Sequence, residues 1–243
     1  MGAQLYAGRW QDALAQIDRV DAVICDPPYG ARTHEGHDSA QSEAKPGEPR
    51  GNRERYKIGL PPQRRALPYD AWMPSDVRAF VASWVPRCRG WFVAFTSHDL
   101  VPAYVEALEG AGRYVFAPLP FFSPGSRVRL SGDGPSSWTC WIVVARPRTV
   151  EFTRWGTLPG GYVFPPEDCE VVGGKPLGLM RAIVRDYSRP GDLVCDPFVG
   201  SGTTLLAAVM EGRRAVGAEE KPEHYEIARK RLARGYTPTM FAE

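Results

Sequence analysis

Short apolar runs alternate with amphipathic stretches along most of this chain. The runs at 22–25, 91–96 and 193–195 predict buried strands, and stretches with helical spacing between them predict helices. The predicted helices cover residues 74–85, 101–109, 177–187, 203–211 and 222–235. Strands that alternate with helices predict an α/β fold, in which helices cover both faces of a mostly parallel sheet.

The pattern is weaker elsewhere. Further strands are predicted at 5–6, 114–117, 138–146 and 215–218, whereas 121–137 lacks a pattern and 147–174 is rich in proline and glycine. Residues 31–67 show no sustained periodicity and contain eight Lys or Arg against five Asp or Glu. Because long irregular loops inside a domain are usually functional or disordered, we expect this loop to be flexible.

Two predicted strands end in similar motifs, VICDPPYG at 23–30 and LVCDPFVG at 193–200. Each motif places an aspartate, Asp26 or Asp196, between an apolar run and a proline turn. Ligands of open α/β sheets bind at the carboxyl ends of the strands. We therefore expect the two acidic strand ends to face each other across one cleft.

The segment DPFVGSGTT joins a predicted strand to a predicted helix, so Gly200 and Gly202 would let the backbone approach a ligand at the helix N-terminus. A phosphate-binding loop would need Gly-Lys-Ser/Thr, and a dinucleotide fingerprint would need Gly or Ala where Leu205 stands. On this motif alone, a tight turn without a ligand remains open.

Glu219 ends the next predicted strand, close to the roughly 20-residue offset at which a carboxylate binds a ribose hydroxyl. A ribose partner without a phosphate loop favours a nucleoside over a nucleotide. S-adenosylmethionine (AdoMet) is such a ligand, with a ribose for Glu219 and an ammonium-bearing methionine tail for the turn near Asp196.

The turn Asp26-Pro27-Pro28-Tyr29 offers acceptors for an amine. Proline has a fixed φ and no N–H, so the pair stiffens the turn and leaves its carbonyls free. The Asp26 carboxylate and the Pro27 carbonyl then suit the two donors of an exocyclic amino group, and Tyr29 offers a face for stacking a base. A rigid turn without chemistry is the alternative for this motif alone.

Composition limits the partners and the location that we expect for this protein. The chain has 243 residues, 43% of them hydrophobic, and a net charge of +2, so a nucleic-acid partner would need a local basic patch. Without a signal-like leader or a long apolar run, we expect a cytoplasmic protein with no membrane contact. The five cysteines lack CxxC spacing and are expected to be free. HEGHD at 34–38 is one residue short of the HExxH spacing, so no metal is predicted.

The motifs VICDPPYG, GGKPLGLM and CDPFVGSGTT, in that order, resemble the amino-group DNA methyltransferases, which act on adenine N6 or cytosine N4. The order resembles the permuted class, in which the catalytic motif precedes the cofactor motif. The resemblance implies a Rossmann-like AdoMet-dependent fold with a seven-stranded sheet, one strand of which, near 138–145, is antiparallel. It also implies that the target base is flipped out of duplex DNA.

The resemblance assigns residue roles. Asp26, Pro27, Pro28 and Tyr29 fall on the catalytic motif, Glu219 on the ribose carboxylate, and Lys175 on the lysine before the helix beside the methionine moiety. Asp26 also borders the cofactor. The family's cofactor loop corresponds to Asp196, Phe198, Gly200, Ser201, Gly202 and Thr203. Arg9 departs from the family, which often has Gly-Asp where this chain has Gly8-Arg9.

The resemblance also suggests how one methyltransferase domain, 1–243, is divided. Residues 1–145 would form the catalytic half with its flexible loop 31–67, 146–174 a short recognition segment, and 175–243 the cofactor-binding half. Double-stranded DNA is the expected partner, and a homodimer is kept open. The residues expected to contact DNA are Arg53, Arg55, Lys57, Arg127 and Arg129, with Arg148, Arg154 and Trp155 as further candidates that a solvated surface explains equally well.

Taken together, the sequence predicts an AdoMet-dependent DNA methyltransferase, with adenine N6 favoured over cytosine N4 because Asp opens the DPPY motif where Ser is commoner in cytosine enzymes. Two alternatives stay open. One is a regulator that binds AdoMet or DNA without catalysis. The other is an amino-methyltransferase for RNA or small molecules, which the short recognition segment makes conceivable.

The basic loop generates a test. Replacing Arg53, Arg55 and Lys57 with alanine should weaken DNA binding and leave AdoMet affinity unchanged. Each lost phosphate contact should reduce the slope of log K against log salt by about 0.9. A triple variant whose salt slope and activity match the wild type would contradict this role and leave 121–137 as the next candidate.

Overall fold

The computed structural model describes residues 2–33, 69–125, 135, 137–167, 169, 171 and 173–235. Its strands are β1 (Ala3–Ala7), β2 (Ala22–Cys25), β3 (Phe92–Thr96), β4 (Tyr114–Val115), β5 (Leu119–Phe122), β6 (Thr139–Arg146), β7 (Tyr162–Val163), β8 (Leu193–Asp196) and β9 (Arg214–Glu219). Its helices are α1 (Trp10–Ala13), α2 (Pro74–Trp84), α3 (Val101–Gly110), α4 (Val150–Thr153), α5 (Leu177–Tyr187), α6 (Thr203–Met210) and α7 (Pro222–Arg234). None of these helices has the length and apolar character needed to cross a bilayer.

The strands form one sheet in the order β1-β9-β8-β2-β3-β6-β5-β7, and β4 also pairs with β6. The neighbours from β1 to β3 are parallel, and β6 runs antiparallel to β3, β4 and β5. Since β5 and β7 are parallel to each other, β6 alone is reversed among the described strands. The predicted α/β fold with a mostly parallel sheet is confirmed, as is the antiparallel strand near 138–145.

The expected count of seven strands is wrong, because the described residues form nine. β4 and β5 lie end to end along β6, where a single strand was expected. Phe116 still donates its N–H to the Val144 carbonyl at 3.0 Å, but Pro118 has no N–H and interrupts the ladder. The two-residue β7 adds an edge strand in the proline- and glycine-rich segment 147–174.

Helices cover both faces of the sheet, and each face has its own core. On β2, Ile24 packs into one core, while Val23 and Cys25 pack into the other, because successive side chains of a strand point to opposite faces. Helix α5 buries Leu179, Met180, Ile183, Val184 and Tyr187 in the first core, at the spacing of a helical stripe. Helices α2 and α3 cover the second core. All five cysteines are free, as the sequence predicts.

The parallel pairing of β2 with β8 determines where the two aspartate motifs lie. Ala22 is registered with Val194 and Val23 with Cys195, although about 170 residues separate the partners along the chain. Strand β9 flanks β8 on its other side, with Asp196 registered to Gly217. The turns that contain Asp26, Asp196 and Glu219 therefore emerge side by side at the carboxyl edge of the sheet.

Gly217 generates a stability test. A Cβ atom at this position would lie 2.4 Å from both the Asp196 carbonyl oxygen and Val199 Cγ2. Gly217→Ala should therefore destabilise the protein by roughly 1–3 kcal/mol through overpacking. Denaturant unfolding measures the effect. Gly110→Ala is the matched control, because a Cβ there meets nothing within 4 Å. Equal stabilities of the two variants would show that the turn after β8 does not need a glycine on β9.

Candidate active site

The turn between β8 and α6 is organised around Gly200. Its φ is +57°, a conformation that glycine adopts without strain, and a Cβ there would meet nothing within 4 Å. The Gly200 N–H donates to Glu219 Oε2 at 2.7 Å, and the Val199 N–H donates to the Ala218 carbonyl at 3.0 Å. The end of β9 therefore fixes the turn at the end of β8.

Gly202 lies on the other side of this turn. It caps α6 with a φ of +86°, and a Cβ there would lie 3.2 Å from Ala228 Cβ on α7. Gly200, Ser201 and Thr203 line the adjacent cleft, whereas Gly202 is absent from its walls. That Gly202 also lets the backbone approach a ligand stays a prediction. Its glycine allows the left-handed cap and the close approach of α7.

The Glu219 carboxylate is held by the backbone on both sides. Oε2 accepts from Gly200, and Oε1 accepts from the Lys221 N–H at 2.9 Å. His224 Nδ1 lies 3.7 Å from Oε1. A carboxylate has about four lone-pair sites, so acceptor positions remain for a ligand hydroxyl. The geometry thus presents a fixed, nearly buried acceptor at the cleft wall.

Asp196 is 1% exposed, and burial raises the pKa of its carboxyl to about 7. Hydrogen bonds from the Thr204 hydroxyl and the Phe198 N–H lower this pKa, the negative charges of Asp26 and Glu219 raise it, and the value of about 7 includes all of these effects. A buried carboxylate of this kind is stabilised by a cation, so the site suits a ligand ammonium.

In the DPPY turn, both oxygens of the Asp26 carboxylate accept hydrogen bonds. The Tyr29 hydroxyl donates to Oδ1 at 2.9 Å and lies 2.8 Å from Cys140 Sγ, while Lys175 Nζ donates to Oδ2. Tyr29 is buried, with Lys175 Nζ 5.3 Å from its ring centroid. The contacts of Tyr29 with Cys140 and Lys175 were not predicted, because their partners lie far apart in sequence.

The two strand-end motifs line one cleft of about 730 Å³. Asp26 to Tyr29, Lys175, Asp196, Phe198, Gly200, Ser201, Thr203 and Glu219 all contribute to its walls. Sequence reasoning missed an aromatic wall around Phe198. The Phe198 ring centroid lies 5.4 Å from that of Trp72 and 5.3 Å from that of Phe80, and Trp10 packs on Phe80 at 5.6 Å. The juxtaposition that the motifs predicted is present, and the cleft also has an apolar side.

A second cavity of about 230 Å³ adjoins the same motif. Tyr29, Gly173, Gly174 and Lys175 line both cavities. Phe121, Trp138 and Cys140 form part of the second cavity's own wall. The DPPY tyrosine and Lys175 thus separate a larger cleft from a smaller pocket.

Arg9, the departure from the family pattern, lies on the cleft wall and pairs with an acid. Its Nε lies 2.8 Å from Glu220 Oε1, and both side chains are more than half exposed. The Gly8 N–H donates to the Glu219 carbonyl at 2.9 Å, which joins the end of β1 to the end of β9. The Arg9 guanidinium thus forms an ion pair with Glu220.

The residues predicted to contact DNA fall into two groups. Arg53, Arg55, Lys57, Arg127 and Arg129, with the HEGHD motif, lie outside the described residues. Trp155 donates its indole N–H to the Asp186 carbonyl at 2.7 Å, and Arg189 stacks on its ring at 3.8 Å. Arg148 donates to the Arg113 carbonyl at 3.2 Å. Trp155 and Arg148 therefore make contacts within the protein. Among the described residues, no three His, Cys, Asp or Glu side chains cluster as metal ligands.

One segment of the chain matches a known protein family. Residues 172–230 match the N6_N4_Mtase family model, described as DNA methylase. Over 58 residues the chain is 41% identical to the DNA adenine methyltransferase YhdJ of Escherichia coli (strain K12), which covers 24% of this chain and 20% of YhdJ. The matched segment spans only about a fifth of the curated relatives. The family match covers the region that contains Lys175, Asp196 and Glu219, and both matches support a relationship to the amino-methyltransferases.

Two solved structures resemble the whole chain. The M1.HpyAVI–SAM complex has a TM-score of 0.64 at 22% identity and covers 95% of this chain and 98% of its own. PvuII DNA methyltransferase, described as cytosine-N4-specific, has a TM-score of 0.65 at 15% identity and covers 99% of this chain and 89% of its own. The chain thus has the Rossmann-like α/β fold of the DNA methyltransferases.

Asp196 generates a test with a definite sign. Its folded-state pKa of about 7 lies above the ordinary value of 3.8, so the folded protein binds the proton more tightly than the unfolded chain. Its contribution therefore destabilises the ligand-free protein increasingly as pH rises from about 4 to 7. The unfolding free energy of Asp196→Asn minus that of the wild type should therefore be about 3 kcal/mol larger at pH 8 than at pH 5.

Denaturant unfolding at both pH values measures this gain. Asp18→Asn is the matched control, because Asp18 is exposed and should give the same difference from wild type at both pH values. A pH-independent effect of Asp196→Asn would show that the folded protein does not hold the Asp196 proton near neutrality.

Proposed function

We propose that this protein is an AdoMet-dependent DNA methyltransferase that transfers a methyl group to the exocyclic amine of a flipped base, with adenine N6 as the favoured target. One observation carries the proposal. The Asp26-Pro27 acceptors and the Asp196 and Glu219 carboxylates line the same cleft, at the ends of adjacent strands. The proposed amine site and the proposed site for a cationic nucleoside would therefore share one cleft.

The walls of the cleft fit AdoMet. Glu219 would accept from the ribose hydroxyls, and the buried Asp196 carboxylate would pair with the ammonium. Phe198 and its aromatic neighbours offer an apolar surface, and Ser201, Thr203 and Gly200 line the turn beside them. The cofactor would supply a methyl group on a sulfonium. M1.HpyAVI, which shares the fold, was solved in complex with SAM, and this supports the same cofactor here.

The role of Asp26 follows from the chemistry of aromatic amines. The lone pair of an exocyclic amine is delocalised into the ring, so the nitrogen is a poor nucleophile. When the Asp26 carboxylate and the Pro27 carbonyl accept hydrogen bonds from its N–H groups, the nitrogen shifts toward sp³ geometry and its lone pair becomes available for in-line attack. Most of the rate enhancement can then come from positioning and electrostatic stabilisation, without prior deprotonation.

Double-stranded DNA is the proposed substrate. The DNA methylase family match of residues 172–230 and the DNA adenine methyltransferase activity named for YhdJ support it. The small cavity beside Tyr29 offers a place for a base outside the duplex, and unstacking and unpairing would cost a few kcal/mol. The division into a catalytic half (1–145), a recognition segment (146–174) and a cofactor half (175–243) is part of the proposal. The same holds for the basic contacts from 31–67 and for the location in the cytoplasm.

Adenine N6 is preferred over cytosine N4 on two grounds. Asp26 opens the DPPY motif, and YhdJ, to which the chain is similar over 58 residues, is named an adenine enzyme. The fold itself does not discriminate, since the cytosine-N4-specific PvuII enzyme shares it. Incubation of the protein with labelled AdoMet and unmethylated duplex DNA, followed by nucleoside analysis, identifies the base. Labelled N4-methylcytosine would replace the adenine assignment, and label in RNA alone would replace DNA as substrate.

Asp26→Ala tests the division of roles. The variant should lose at least about 100-fold in methyl transfer, because the amine loses its charged acceptor. It should still bind AdoMet, because Asp196 and Glu219 remain in place. Label transfer and calorimetry measure the two properties.

The control is Glu219→Ala, which should weaken AdoMet binding by roughly 1–3 kcal/mol through loss of hydrogen bonds to a charged acceptor. If a folded Asp26→Ala protein bound no AdoMet, the roles of the two strand ends would be assigned wrongly. If the wild type bound AdoMet and transferred no methyl group to any nucleic acid, the protein would be a binding module.

A further inference from the structure

Lys175 contacts the residue that the proposed chemistry needs as an acceptor. Its ammonium donates to Asp26 Oδ2, and the side chains of Lys175 and Asp26 are 9% and 26% exposed. Since Tyr29 donates to Oδ1, both carboxylate oxygens of Asp26 already have donors. The ammonium occupies one lone-pair site of Oδ2 and offsets the negative charge of Asp26. Asp26 is therefore a weaker acceptor for a substrate amine than it would be without the ammonium.

The Lys175 ammonium has several neighbours besides Asp26. Nζ donates to the Gly173 carbonyl at 3.3 Å and lies 5.3 Å and 5.0 Å from the ring centroids of Tyr29 and Phe95. An ammonium has three donors, so one donor remains for a further acceptor. A buried ammonium left without a carboxylate is costly, but exchange of one carboxylate for another is not.

Lys175 also lies between the two cavities, so a ligand in either one can contact it. It lines the larger cleft together with Asp196 and Glu219, and it lines the smaller cavity together with Tyr29 and Cys140. A carboxylate that enters the larger cleft would compete with Asp26 for the ammonium. Its arrival would free Oδ2 on the side of the proposed amine.

We propose that Lys175 is a positioning residue that exchanges partners. In the ligand-free protein it covers Asp26, and when AdoMet binds, its ammonium moves to the carboxylate of the methionine moiety. The exchange exposes Asp26 Oδ2, so that the base amine is held only after the methyl donor is in place. This inference rests on the proposed function. It makes Lys175 the residue that causes AdoMet to bind before the target base.

Two variants test the exchange by calorimetry, with AdoMet and decarboxylated AdoMet as probes. The wild type should prefer AdoMet over the decarboxylated form by about 10-fold or more, because only AdoMet offers Lys175 a carboxylate. Lys175→Met should remove most of this preference, and Lys175→Arg should restore part of it. Lys230→Met, on the exposed face of α7, is the matched control and should keep the wild-type preference.

Asp26→Asn tests the competition without changing Lys175. Removing the competing carboxylate releases the ammonium, so AdoMet should bind roughly 3- to 10-fold tighter than to wild type, while the affinity for decarboxylated AdoMet should not increase. This readout is independent of activity and remains usable if Lys175→Met does not fold.

The outcomes separate the two proposals. If the wild type binds no AdoMet, both fail. If it binds AdoMet and methylates DNA, yet Lys175→Met keeps the full preference or Asp26→Asn binds AdoMet no tighter, the exchange is overturned and the proposed function stands. A crystal structure with bound AdoMet in which Lys175 Nζ still contacts Asp26 Oδ2 would also overturn the exchange.

Discussion

The parallel pairing of β2 with β8 is the constraint on which the site depends. Strand neighbours share an edge of the sheet whatever their separation along the chain, so this pairing brings Asp26 beside Asp196. Gly217 allows the turn after β8 to pack on β9, and the Gly200 N–H then holds Glu219 in place. Three acidic side chains with different surroundings thus share one edge. Their proximity also raises the pKa of Asp196, beyond the effect of its burial.

Local patterns predicted the elements well, and long-range contacts set the limits. Helix α5 agrees with its predicted range because its apolar residues follow a helical period, and α2 begins at Pro74 because proline is suited to the first turn of a helix. Strand β5 was missed because Pro118 and Pro120 argue against a strand. The motifs placed Asp26, Asp196 and Glu219 correctly at strand ends. No local signal indicates that Lys175 reaches Asp26, since that contact joins segments 149 residues apart.

The two glycines of the turn between β8 and α6 show how one motif can combine different physical roles. Gly200 lines the cleft, and its N–H holds an acid, whereas Gly202 is needed for a left-handed cap and for contact with Ala228. The sequence G-S-G suggests two equivalent approaches to a ligand. The two glycines differ because α7 packs against Gly202 through Ala228, a residue 26 positions further along the chain.

The buried Asp196 carboxyl has a consequence for the lifetime of the protein in a cell. Near neutral pH its ionisation works against folding, and a bound cation would remove that penalty. A ligand that binds only the folded state shifts the folding equilibrium by mass action, and proteolysis acts on the unfolded fraction. Under the proposed function, a falling supply of the methyl donor would enlarge the unfolded fraction of this protein and so increase its turnover.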